Sequence, residues 1–238
     1  MFVQRITLHP ELFPTEQYYP FNLDIFHQTS SLEFSAPTTF FVGENGSGKT
    51  TLLRAICQRC GIYIWGKAES SRAHRNPYEN LLQKAVRVEW INGSVPGSYF
   101  GSDTFQKFAS VVEDWADDDA GQLKYLGGKS LVRQSHGQSL MSYFTARYQI
   151  QGIYFLDEPE TALSPASQIQ LLQLIQQTTR DGHAQFIIAT HSPILMACPD
   201  AQIYTFDKRP IQPIAYEDTV HYQIYLDFMN NRDAYLVD

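Results

Sequence analysis

One eight-residue stretch constrains this chain more than any other. Gly43‑Glu44‑Asn45‑Gly46‑Ser47‑Gly48‑Lys49‑Thr50 fits GxxxxGK[ST] in full. Before it stands TTFFV, a short β‑branched and aromatic run; after it TTLLRAIC carries Leu52, Leu53 and Ile56 at helical spacing. Strand, glycine loop and helix therefore follow in that order. Glycines let the backbone turn its N–H groups inward around a phosphate, and a helix starting near Lys49 aims its positive end at the same anion. Lys49 is expected to reach the β and γ oxygens and Thr50 to offer its hydroxyl to Mg²⁺. A bare glycine turn needs neither side chain at its closing positions. Gly43, Asn45, Gly46, Ser47, Gly48, Lys49, Thr50 and Thr51 are the expected nucleotide contacts.

Two further strand ends complete the pattern. GIYFLDE is a continuous apolar run that places Asp157 and Glu158 at its C‑terminal end, where parallel sheets gather their ligands. Two adjacent carboxylates there repel unless a cation or a reaction uses them. Asp157 suits the Mg²⁺ side, and Glu158 suits orientation and deprotonation of a water attacking the γ‑phosphate. Glu160 reads as a first‑turn helix acid after Pro159 or before Pro165. QFIIATHSP ends another apolar strand at His191, in the same topological position as Asp157, within reach of a γ‑phosphate.

The remaining chain supports an α/β domain. FVQRITL alternates as a half‑buried strand, and LDIF and LEFS resume the alternation, giving an antiparallel β edge. Residues from about 61 to 149 read as a peripheral, partly helical lobe with two amphipathic pieces, NLLQKAVRVEW and DTFQKFASVVEDWADDDA. Residues 1–60 and 150–238 read as the core of one unit spanning 1–238. HYQIYLDFMNN sets Tyr222, Tyr225 and Phe228 at threes, which predicts a docked amphipathic helix.

Composition narrows the partners. A formal net charge of −7 argues against a surface basic throughout, so nucleic acid contact needs a local patch or a basic partner. Cys57, Cys60 and Cys198 form no even framework and no second CxxC pair for zinc, so reduced structural thiols are expected. No apolar run reaches membrane‑span length and the start MFVQRITLHP lacks a signal‑peptide pattern, which predicts a cytoplasmic protein.

Between phosphate loop and carboxylates stands Ser135‑His136‑Gly137‑Gln138‑Ser139, 86 residues after Lys49 and 22 before Asp157, with His191 another 34 on. With these motifs in this order the chain resembles the ATP‑binding‑cassette (ABC) ATPases over nearly its whole length. The resemblance implies a P‑loop fold with a mostly parallel sheet flanked by helices, an N‑terminal antiparallel β edge and a smaller lateral helical lobe. It implies ATP and Mg²⁺ as ligands. It further implies that Ser135, Gly137 and Gln138 contact the γ‑phosphate held by a second copy, two ATP molecules being sandwiched between two heads. Gln134 replaces the usual leucine and His136 the first glycine of that signature; His136 is either a surface residue or an added phosphate or partner contact. LDEPETALSP and ATHSP resemble the soluble branch (RecF, the OLD nucleases and ATPases of phage defence) and a group of small bacterial ATPases. No glutamine follows the strand GSYF at the usual place, where Gly101 stands with Asp103 and Gln106 as substitutes. Phe13, Tyr18 and Tyr19 are the candidates for stacking on adenine. The chain lacks sustained heptads between Lys49 and Ser135, so no long coiled‑coil arm is expected.

Three functions fit this reading. The first is an ATPase switch whose dimer changes a bound effector, such as a nuclease or toxin, or a nucleic acid complex. The second is the ATP‑binding subunit of a membrane transporter. The third is an ATP‑dependent scaffold with little turnover.

Overall fold

The computed structural model describes residues 1–65, 76–102, 105, 136–180 and 182–236. Elements are numbered among these. Strand β1 (Val3–Leu8) has β2 (Ser31–Glu33) on one side and β4 (Val86–Trp90) on the other, both antiparallel. The second sheet has six strands in the order β5 (Gly97–Gly101), β6 (Gly152–Asp157), β7 (Ala184–Ala189), β3 (Thr38–Val42), β8 (Gln202–Thr205) and β9 (Gln212–Pro213). Its pairs are parallel except β8 with β9. Helices α1 (Asp24–Gln28), α2 (Lys49–Arg59), α3 (His136–Arg147), α4 (Pro165–Arg180), α5 (Pro193–Met196) and α6 (Val220–Asn230) complete the order. The chain is thus a mixed α/β molecule with a mostly parallel central sheet and an antiparallel sheet beside it.

Every residue of β3, β6 and β7 is buried. Their side chains alternate between two cores, as the pleat requires. Phe41, Phe155 and Ile187 face a cluster shared with α2 and the antiparallel sheet. Phe40, Leu156 and Ile188 face one shared with α3 and α4. The two sheets are joined by Gln185, fully buried on β7, whose carbonyl accepts from the Phe2 and Val3 N–H groups at 2.7 and 2.8 Å. Its amide donates to Val3 O at 2.9 Å.

Three local expectations are corrected. LDIF is not a strand: Ile25 and Phe26 are adjacent and both buried, which a helical turn permits and strand alternation does not. NLLQKAVRVEW splits into a 3₁₀ turn, Leu82–Ala85, and strand β4, because β‑branched Val86 and Val88 extend the antiparallel sheet along β1. With β5, it brings parts of the span expected as a lobe into the sheets; DTFQKFASVVEDWADDDA lies, but for Phe105, outside the described residues. The C‑terminal helix α6 forms, yet none of its residues is buried and Tyr225 is 59% exposed. Val220, Ile224, Phe228, Tyr225, Met229 and Leu226 run most of the way around it, so it has no single stripe to bury.

Candidate nucleotide site

Parallel register aligns the C‑terminal ends of three strands. Phe41 of β3 and Asp157 of β6 both lie opposite Ala189 of β7, so the phosphate loop, Asp157‑Glu158 and His191 emerge along one edge. The loop leaves β3 through Gly43 at φ 140° and enters α2 through Gly48 at φ 104°, both outside the range side chains tolerate. A Cβ would lie 2.8 Å from Asp207 Oδ1 at Gly43 and 2.9 Å from the Phe26 ring at Gly48. Asp207 also accepts from the Glu44 N–H at 2.7 Å, fastening the loop from outside.

Inside the loop, the Lys49 ammonium donates to Gly43 O and Glu44 O at 2.7 and 2.8 Å. Burial lowers its pKa, an effect opposed by Glu158, Asp207, Asp157 and Glu44. Ser47 Oγ is buried without a hydrogen‑bond partner among the described residues, and Asn45 and Gly46 are exposed at the loop's tip. The Thr50 hydroxyl donates to Asp157 Oδ1 at 2.6 Å. Thr51 is hydrogen‑bonded through its hydroxyl to Tyr19 OH, which brings Tyr19 to the start of α2. Tyr18 instead lies against Tyr78, ring centroids 5.5 Å apart, and Phe13 packs on Phe21 and His27.

Asp157 has a second set of partners that sequence inspection does not reveal. Tyr99 OH donates to its Oδ2 at 2.7 Å, Arg54 Nε donates to Tyr99 OH at 2.8 Å, and Arg54 Nη2 lies 3.4 Å from Oδ2. Tyr99 lies on β5 two residues before Gly101, which pairs with Asp157 itself. The carboxylate is therefore held by both oxygens before any cation arrives. Asp103 and Gln106 lie outside the described residues.

Glu158 adopts the left‑handed conformation, φ 47° and ψ 55°, at the N‑cap of the 3₁₀ turn Pro159–Ala162. A non‑glycine residue held there stores strain, a condition concentrated at functional positions. Its Oε1 lies 3.7 Å from His191 Nε2, beyond hydrogen‑bond length. Burial above all, then Lys49 and His221, pulls the His191 pKa down to about 4, against a smaller upward pull from Asp207. At neutral pH the ring is uncharged and the pair is no ion pair.

Glu160 does more than a first‑turn acid. Its Oε1 accepts from the His191 N–H at 2.6 Å, and burial raises its pKa. His221, at the first turn of α6, is a further residue that the sequence did not single out: its Nε2 lies 2.8 Å from His191 Nδ1. Both contacts join segments about 30 residues apart, which no local pattern foretells.

Ser135 lies outside the described residues. His136 begins α3, with Gly137 and Gln138 in its first turn. A Cβ on Gly137 would meet Ala162 O and Ser167 Oγ at ordinary contact distances, 3.8 and 3.9 Å, so this turn abuts the segment after LDEPE. Of the thiols, Cys57 and Cys198 are buried and Cys60 is partly so; burial raises all three pKa values, Cys60 to about 12 and Cys198 to about 11. No cluster of three or more metal‑ligating side chains occurs among the described residues, and none of their helices is long and apolar enough to cross a membrane.

The donor set fits a nucleoside triphosphate with its cation. Glycine at two positions lets the loop pack closely on Asp207 and the Phe26 ring, Ser47 Oγ and His191 Nε2 are buried polar atoms without partners among the described residues, and a hydroxyl and a carboxylate meet at 2.6 Å. The site can cradle an anion, pair it with a hard cation and present a carboxylate to water.

Parts of the chain are similar to known proteins. Residues 21–98 match a family described as "AAA domain", and residues 131–197 one described as "AAA domain, putative AbiEii toxin, Type IV TA system". The thiamine import ATP‑binding protein ThiQ of Ruegeria sp. (strain TM1040) is 25% identical over 170 residues, 67% of this chain and 72% of ThiQ. The DNA replication and repair protein RecF of Leptospira interrogans is 43% identical over 69 residues, 29% of this chain and 19% of RecF. The hemin import ATP‑binding protein HmuV of Pseudomonas aeruginosa is 30% identical over 169 residues, 62% of this chain and 64% of HmuV. The chain thus spans under a fifth of RecF and under two thirds of HmuV. Among solved structures, cbiO1 from Clostridium perfringens shares the fold with a TM‑score of 0.50 at 16% identity, covering 98% of this chain and 97% of that one. The SmcHead bound to the C‑winged helix domain of ScpA shares it with a TM‑score of 0.55 at 14% identity, covering 91% and 99%. Partial sequence matches of both the import and the RecF kind, joined to this fold, agree: the chain is similar to ABC/AAA‑like ATPases.

Proposed function

We propose that the chain binds and hydrolyses ATP with Mg²⁺ between two head‑to‑tail copies, and that this cycle switches an effector or nucleic acid complex. The observation that carries the reading is the meeting of phosphate loop, Asp157‑Glu158 and His191 at one sheet edge. The loop amides and Lys49 hold the β and γ phosphates; Gly43, Asn45, Gly46, Ser47, Gly48 and Thr51 complete the cradle. Thr50 and Asp157 hold Mg²⁺, which when bound neutralises charge on the phosphate oxygens. Tyr99 and Arg54 orient Asp157. Glu158 takes a proton from water as its oxygen bonds to the γ‑phosphorus and the bond to the β‑γ bridging oxygen breaks, giving ADP and phosphate. His191 donates from Nε2 to the γ‑phosphate. Ser135, Gly137 and Gln138 act on the partner copy's γ‑phosphate, and Tyr19, beside Thr51, is the aromatic placed for the base or sugar.

For the effector, the description of the family matching residues 131–197 favours a toxin. A second reading, the ATP‑binding subunit of an importer, is favoured by the extent of the ThiQ match. Mg²⁺‑dependent ATP turnover is expected for the wild type and its loss, with ATP affinity kept, for Glu158→Gln. Unchanged turnover in that variant refutes the base. Stimulation by duplex DNA supports the switch on nucleic acid, whereas co‑purification with an integral membrane protein supports the importer.

A further inference from the structure

His191 is gripped from two sides. Its N–H is taken by Glu160 Oε1 at 2.6 Å, and its Nδ1 lies 2.8 Å from His221 Nε2, the two rings 4.9 Å apart at 63°. His221 is itself braced. The preceding helix cap, Thr219, is buried and accepts from the Tyr222 N–H at 3.3 Å. Tyr216, which accepts the Thr219 hydroxyl's hydrogen bond, donates its own hydroxyl to Pro193 O, two residues past His191. The remaining nitrogen, His191 Nε2, is shielded from solvent and unpaired among the described residues, with Glu158 Oε1 at 3.7 Å.

A hydrogen bond between two neutral imidazoles has one proton, and its direction decides what Nε2 becomes. If His191 Nδ1–H donated, a bare Nε2 lone pair would face the Glu158 carboxylate and could donate to no anion. If His221 Nε2–H donates, His191 carries its proton on Nε2, directed at the negative side of the site. The anionic neighbour favours the second arrangement.

We propose, resting on the role given above to His191, that His221 is a positioning residue. Its Nε2–H donates to His191 Nδ1 and so fixes His191 as the Nε2–H tautomer, ready to donate to a bound γ‑phosphate. Burial, the largest cause for each, lowers the pKa of both rings, in keeping with a neutral pair. Because Nδ1 is occupied as an acceptor, His191 cannot become an imidazolium until His221 gives up that bond.

Two measurements test this. Nitrogen‑15 NMR of histidine‑labelled wild‑type protein should show His191 protonated at Nε2 and not at Nδ1; the Nδ1–H form overturns the proposal without any variant. In ATP turnover, His221→Phe should lower kcat roughly ten‑ to a hundredfold, the range for removing a partner that orients a working histidine. Affinity for a fluorescent ATP analogue should stay within about twofold, since that partner touches no phosphate itself. His221→Gln, whose amide can donate from the same place, should recover most of the rate, and adding His221→Phe to His191→Gln should cost nothing more. Equal rates for wild type and His221→Phe, with His191→Gln impaired, overturn the positioning role alone. An unimpaired His191→Gln overturns the role of His191 on which it rests.

Discussion

Gln185 and helix α6 reverse the usual assignment of polar and apolar residues. Gln185 is polar and fully buried, with its side‑chain bonds directed at the backbone of Phe2 and Val3, whereas Met229 on α6 is apolar and 77% exposed. Residue class alone misplaces both. A polar side chain is buried where neighbouring backbone N–H and C=O groups would otherwise go unpaired; an apolar helix is buried only if a surface meets the face it presents. The strand carrying Gln185 also leads to His191, so the same satisfied hydrogen bonds that join the sheets help to place the site.

The contrast is sharpest in stability. Gln185→Ala should cost about 2–4 kcal/mol in denaturant unfolding, because it strands three backbone groups of Phe2 and Val3 at once. A loss below about 1 kcal/mol would mean that β1 does not depend on this link. Next in size is a pH effect at the far end of the same strand. The His191 pKa of about 4 in the folded chain lies below its ordinary 6.5, so between these values the unfolded chain binds the extra proton. Stability is fully present above pH 6.5 and falls as pH drops toward 4, by about 1–3 kcal/mol from this group. His221, also lowered, adds in the same sense, and Glu160, raised by burial, opposes it. The fall in Tm on acidification should therefore be shallower in His191→Gln; parallel curves would contradict the burial of that ring. Smallest should be Ile224→Ser on α6, within about 0.5 kcal/mol of wild type, since Ile224 is 54% exposed. A larger loss would mean that α6 is covered in solution.

What was legible in the sequence has a common physical character. The phosphate loop, the strands leading to Asp157 and His191, and helix α2 are written in contiguous residues, because close backbone approach demands glycine and buried parallel strands demand unbroken apolar runs. Tyr99 with Arg54, Glu160 with His191, and His221 with His191 are contacts between distant segments, each a single polar residue in an ordinary setting. Nothing around His221 marks it apart from the rest of the helix whose first turn it occupies. LDIF deceived for the opposite reason: four residues suit either period, and only the ring of Phe26 packed beneath Gly48 decides between them.

The central claim is that two copies close on ATP and that Glu158 opens them by hydrolysis. Light scattering coupled to size exclusion, on Glu158→Gln with ATP and Mg²⁺, measures this directly. The predicted result is the mass of two chains with ATP and of one without it; a single‑chain mass under both conditions, with ATP binding intact, would contradict the sandwich.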